Sequence, residues 1–158
     1  MLGSSPAGSD EGNDEPLDQD PILTSTADMI LPLSSLTSDW IIGSDPDSVS
    51  TTPSAVEVSS ASYESRDAYY TEVLSVYVMK FDSIENASDA YWDQYHQKED
   101  KYSVSSIKIG TGGFEYDLLD RVFYITFHKA NVLVVMKVTN SNMEALETYA
   151  DLQLQLIK

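Results

Sequence analysis

The side chains in this chain that could do chemistry are carboxylates, tyrosines, serines and two histidines. Their spacing matches no known catalytic or metal-binding pattern. Neither His96 nor His128 has a second ligand at HExxH or comparable spacing. His96 lies beyond Tyr95 near the end of an expected helix, and His128 sits beside Lys129 at an expected hairpin tip, so both read as surface or capping groups. Asp45 and Asp47, or Asp10, Glu11, Asp14 and Glu15, could attract calcium, but that ion needs about six convergent oxygens and neither cluster shows the DxDxDG loop. Gly110-Thr111-Gly112-Gly113 invites comparison with phosphate-cradling loops. It lacks the Lys and Ser/Thr of a P-loop, and a strand follows where a helix N-terminus would be needed, so it reads as a turn. The serines, dense from Ser48 to Ser65, come with no GxSxG or SxxK motif. Asn86-Ala87-Ser88 is a glycosylation sequon in the first turn of an expected helix, relevant only in an exported protein.

Tyrosine is the over-represented type, with ten among the 158 residues. A tyrosine buries its ring and keeps its hydroxyl wet, which suits a binding groove and equally the rim of an ordinary core. The expectation is therefore a chain with no catalytic residue, no metal site and no cofactor.

Charge narrows the partners. The formal net charge is -17, and residues 1 to 65 carry twelve acids and no Lys or Arg. Such a field repels phosphate backbones and offers no counterion release, which excludes nucleic acid and favours cations, basic proteins or basic peptides. The absence of cysteine excludes disulfides and thiolate chemistry. No apolar run reaches the length of a membrane span, and Met1-Leu2-Gly3-Ser4-Ser5 leads into polar sequence without an export segment.

The elements that must position any site begin with the stretch 121–139. RVFYITFHK and VLVVMKVT are rich in β-branched and aromatic residues and flank Ala130-Asn131, the pattern of an antiparallel hairpin in which Asn tolerates the left-handed conformation of a primed turn. Phe123, Ile125 and Phe127 fall on one face of the first run, and Val122, Tyr124, Thr126 and His128 on the other. The second run is apolar on both faces, which predicts a central strand covered on both sides. Residues 1–21 have too few apolar side chains to offset the entropy of ordering and read as a disordered acidic leader or spacer; residues 22–158 form a single domain.

Within that domain a short helical turn is expected after Ser25 or Thr26, a strand at Trp40–Gly43, an acidic turn at Asp45–Asp47 and strands at Ala55–Tyr63 and Thr71–Phe81. A helix over 83–101, capped by Ser83, would carry Ile84, Ala87, Ser88, Tyr91, Trp92 and Tyr95 on its apolar face. Short strands at Ser103–Ile109 and Phe114–Leu119 precede the hairpin, and a helix over 141–157, capped by Asn140 or Ser141, follows it. Strand runs without intervening helices imply an α+β fold: an antiparallel sheet with the central hairpin 121–139, packed by the two helices.

The segments LPLSSLTSDW, VYVMKFDSIENASDAYW, IGTGGFEYD and RVFYITFHKANVLVVMKV resemble small extracellular domains of archaeal and bacterial envelope lipoproteins, over roughly residues 28 to 157. His128 and Ala130 stand where that pattern has Arg and Gly, and Gly110-Thr111 replaces Gly-Asp. The segments are also similar to PsbP-like proteins, an α/β/α sandwich. The resemblance implies an exported, often lipid-anchored module at the cell surface, with residues 1 to 21 as the spacer behind a lipidated cysteine. The reading that follows is a non-enzymatic, monomeric cell-surface domain that binds or senses a protein or small ligand and meets the membrane only through its lipid anchor. Two alternatives stand beside it: an enzyme with a carboxylate and tyrosine site in a cleft against the sheet, with a cytoplasmic location as the alternative placement, or an adhesive or structural surface protein.

Overall fold

A computed structural model describes residues 20–37, 39–43, 52, 54–66 and 71–158. Most of the acidic leader, the Asp45–Asp47 turn, Tyr69 and Tyr70 therefore lie outside the described residues. The chain forms strands β1 (Trp40–Ile42), β2 (Glu57–Arg66) and β3 (Thr71–Lys80), helix α1 (Ile84–Glu99), strands β4 (Ser105–Ile107), β5 (Gly112–Leu118), β6 (Val122–Lys129) and β7 (Val132–Thr139), and helix α2 (Met143–Leu154). Two 3-10 turns, Thr26–Met29 and Leu33–Ser35, precede β1.

All seven strands join one antiparallel sheet in the order β1-β2-β3-β7-β6-β5-β4. The fold is the expected α+β class, and its doubly apolar strand β7 is central. The chain reaches β3, crosses through α1 to the far edge at β4, and returns by a four-strand meander that closes against β3.

Side-chain alternation divides the core into two layers. Val132, Val134, Met136 and Val138 of β7, with Ile125 and Phe127 of β6, pack against Leu146, Ala150 and Ile157 in and just beyond α2. Leu133 and Val135 pack on the opposite face with Met79, Phe114 and the α1 residues Ala87, Ala90 and Tyr91. The two helices thus cover the same hairpin from opposite sides. Each large aliphatic or aromatic side chain fully buried this way contributes about 1.5–3 kcal/mol, which is why the run with apolar residues on both faces sits at the centre.

Several local expectations are corrected. The buried face of α1 is Ala87, Ala90, Tyr91 and Gln94, rotated so that Trp92 is left 48% exposed. Ser83 caps that helix as expected, accepting from the Asn86 backbone N–H at 3.0 Å. Asn142 caps α2, accepting from the Ala145 N–H at 2.8 Å; Asn140 instead takes a left-handed turn and donates to the Thr71 carbonyl. β2 continues to Arg66, because it pairs with β3 along its whole length. β4 is shorter than the run from Ser103 to Ile109, and β5 starts two residues before Phe114.

At the hairpin tip, Ala130 and not Asn131 has the positive φ, 51°. A positive φ at the first central residue alone fits a type II′ turn. The Asn131 side chain is thereby free to act as a clamp: it accepts from the Ile22 N–H and donates to the carbonyls of Ile22 and Phe81. Gln153 of α2 holds the next stretch, accepting from the Leu31 N–H and donating to the Met29 carbonyl. These amides satisfy the backbone of an irregular segment that buries Ile22, Met29 and Leu31.

Candidate functional site

Gly112 of β5 stands opposite His128 of β6 in the sheet register. Cross-strand partners direct their side chains to one face, so the missing side chain at Gly112 leaves open space beside the imidazole. α1 roofs this space with Ser88, Tyr91 and Trp92, and Ser106, Ile107 and Thr111 complete the walls of a cleft of about 350 Å³. Tyr91 lies across the His128 ring, with centroids 4.3 Å apart and planes inclined at 31°.

The glycine-rich turn builds the approach to this cleft. Gly110 has φ +60°, and a Cβ there would lie 2.5 Å from the His128 carbonyl oxygen, so only glycine lets the turn come this close to β6. The Thr111 N–H then donates to that same carbonyl at 2.8 Å. A Cβ on Gly113 would clash with Ile109 Cγ2. The stretch is a close-approach turn running into a strand, in keeping with its reading as a turn.

His128 corrects an expectation. It is 6% exposed, not a surface group at the hairpin tip, because α1 covers that face of β6 to its end. Burial pushes its pKa from 6.5 down to about 4, so the imidazole is neutral at ordinary pH. Burial, and secondarily the neighbouring Tyr95, pushes the Tyr91 phenol up to about 12. The His128 ring and the Tyr91 hydroxyl reach toward one point in the cleft: a Cβ on Gly112 would lie 3.6 Å from His128 Nε2 and 3.7 Å from the Tyr91 hydroxyl oxygen. Among the described residues no charged side chain lines the cleft. The arrangement can donate and accept hydrogen bonds and offers aromatic surface.

On the other face of the sheet, Glu115 of β5 meets Glu147 of α2. Burial first, then the hydrogen bond and the charge of Glu147, raise the Glu115 pKa from 4.5 to about 7. One Glu115 oxygen, Oε1, is otherwise buried without a partner. Partial burial and the like charge of Glu147 both favour the protonated form of Glu115. Glu147 also borders a second, smaller cavity of about 190 Å³ with Lys108, Ile109 and Asp151. The pair was not singled out by its sequence spacing, since the chain is acidic throughout.

Other chemistry-bearing residues lie apart from these sites. His96 is exposed and pairs with Glu99 at 2.9 Å. Tyr102, Tyr116 and Tyr124 stack in parallel at 5.0 and 4.7 Å beneath Lys98, an arrangement at the edge of the α1 core layer that matches the core-rim reading of the tyrosines. Asn86 is exposed in the first turn of α1. Among the described residues no group of three or more His, Asp or Glu could hold a metal ion, and no helix is long and apolar enough to cross a membrane.

Comparison with protein-family models, curated proteins and solved structures finds no match for this chain.

Proposed function

We propose that this domain is a non-enzymatic binding module that takes a small ligand in the cleft between α1 and the Gly112–His128 strand pair. One observation carries the reading: the His128 imidazole and the Tyr91 hydroxyl, both on largely buried side chains, converge on the open space that Gly112 leaves in the cleft. Pockets with apolar walls and a few convergent polar groups suit small ligands.

The acidic stretch 1–21 supports placing the module at a cell surface, held off the membrane by a lipid-anchored spacer. Protease accessibility of the native protein on intact cells tests that placement. For the cleft, the test is a small-molecule library screened by NMR on the labelled protein. Ligands that shift the His128 ring and Trp92 indole signals together support the reading; a screen in which neither moves sinks it.

A second reading, an acid–base enzyme, draws on the Glu115–Glu147 pair beside its own cavity. It would require a turnover activity that Glu115→Gln abolishes while the protein stays folded.

A further inference from the structure

We infer that the cleft ligand is a neutral, polyhydroxylated ring: a monosaccharide or one sugar unit of a larger neutral glycan. This rests on the binding-module reading and adds the chemical class to it.

The first argument is charge. His128 and Tyr91 are both held neutral, and the remaining polar groups on the walls are the hydroxyls of Ser88, Ser106 and Thr111. An anion would find no cationic partner and would enter an acidic field; a cation would find no carboxylate within the lining. Either would bring an uncompensated charge into a partly dry site. Uncharged ligands escape this cost.

The second argument is the match of groups. A sugar hydroxyl both donates and accepts, as do the hydroxyls on the walls, while a neutral imidazole donates through one nitrogen and accepts through the other. Trp92 is nearly half exposed on the helix that roofs the cleft, with its edges supported by Tyr91 at 5.1 Å and Tyr95 at 5.4 Å. A large aromatic held in place at a polar opening offers an apolar surface to the C–H face of a pyranose, whose rim remains free for hydrogen bonds. The volume of about 350 Å³ suits one ring.

Gly112→Ala gives a clean probe. Its new methyl would sit at ordinary van der Waals distance from His128 and Tyr91, so the fold has no clash to resolve, yet it would occupy the space between them. The experiment is calorimetric and NMR titration of the full chain with neutral hexoses and short neutral glycans. Glucuronate, glucosamine and a neutral heteroaromatic nucleoside serve as comparisons.

The expected result is saturable binding of a neutral sugar that shifts the His128 and Trp92 signals. Glucuronate and glucosamine should bind about tenfold more weakly, and Gly112→Ala and Trp92→Ala should each weaken the sugar by about tenfold, with Tyr91→Phe losing several-fold. If the nucleoside or a charged sugar shifts both signals and no neutral sugar does, the sugar assignment is wrong and the cleft remains a binding site. If nothing shifts them, both the assignment and the binding-module reading fail. Far-UV circular dichroism of Gly112→Ala separates lost binding from lost fold.

Discussion

Glu115 on β5 faces Glu147 on α2 across the layer between sheet and helix, and partial burial together with that like-charged neighbour favours the protonated form of Glu115. With a folded pKa of about 7 against an ordinary 4.5, Glu115 holds its proton more tightly in the folded chain. Its contribution to stability is complete below about 4.5 and is lost as the pH rises through about 7. Thermal unfolding followed across this window should show that decline in the native protein and not in Glu115→Gln. Above the window the variant should be the more stable, by about 1 kcal/mol once solvent screening of a partly exposed pair is allowed for.

The acid side of the profile has the opposite sign. The His128 pKa is depressed from 6.5 to about 4, so its contribution is complete above 6.5 and is lost as the pH falls through about 4. The Lys80 ion pair at 3.0 Å, followed by the Ser25 hydroxyl, lowers Glu57 from 4.5 to about 2, adding a further loss as the pH falls below 4.5. In a histidine-resolved NMR titration the His128 ring should remain neutral until about pH 4. His128→Phe should flatten the fall between 6.5 and 4 and leave the loss due to Glu57 in place.

Asn131→Ala removes the clamp that joins the hairpin tip to Ile22 and the end of β3. The Ile22 N–H and the Phe81 carbonyl lose a buried partner, so the expected loss is about 3 kcal/mol, read from the urea midpoint. Hydrogen exchange should show the segment around Ile22 opening before the sheet does.

Gly110→Ala should be costly and Gly112→Ala mild, although the two sit in the same short stretch. At Gly110 the added Cβ meets backbone at 2.5 Å and φ is +60°, whereas at Gly112 it meets only side chains, no closer than 3.6 Å. Urea unfolding should show a loss of about 2 kcal/mol or more for the first and well under that for the second.

The α+β class, the central hairpin and both long helices were legible because local periodicity reports them. Alternation in 122–129 and 132–138 reports strands, Ser83 reports a helix start, and the doubly apolar run at 132–138 reports a strand covered on both faces. The cap of α2 falls at Asn142, one or two residues beyond the expected Ser141 or Asn140, because all three are good capping types and only backbone geometry chooses among them.

The candidate site was hardly legible at all. His128 looks like a hairpin-tip residue in sequence, and its burial depends on how far α1 extends over β6. Gly112 becomes the floor of a cleft only because register sets it opposite His128, and Glu115 meets Glu147 only because α2 packs over that part of the sheet.

Composition and periodicity therefore determined the elements, the apolar face of most of them and the strongly acidic character of the chain. Tertiary structure alone decided strand order, the two-layer core, the neutral cleft and the meeting of Glu115 with Glu147. Those features arise between residues far apart in sequence, and their energies come from burial and proximity, which no local pattern encodes.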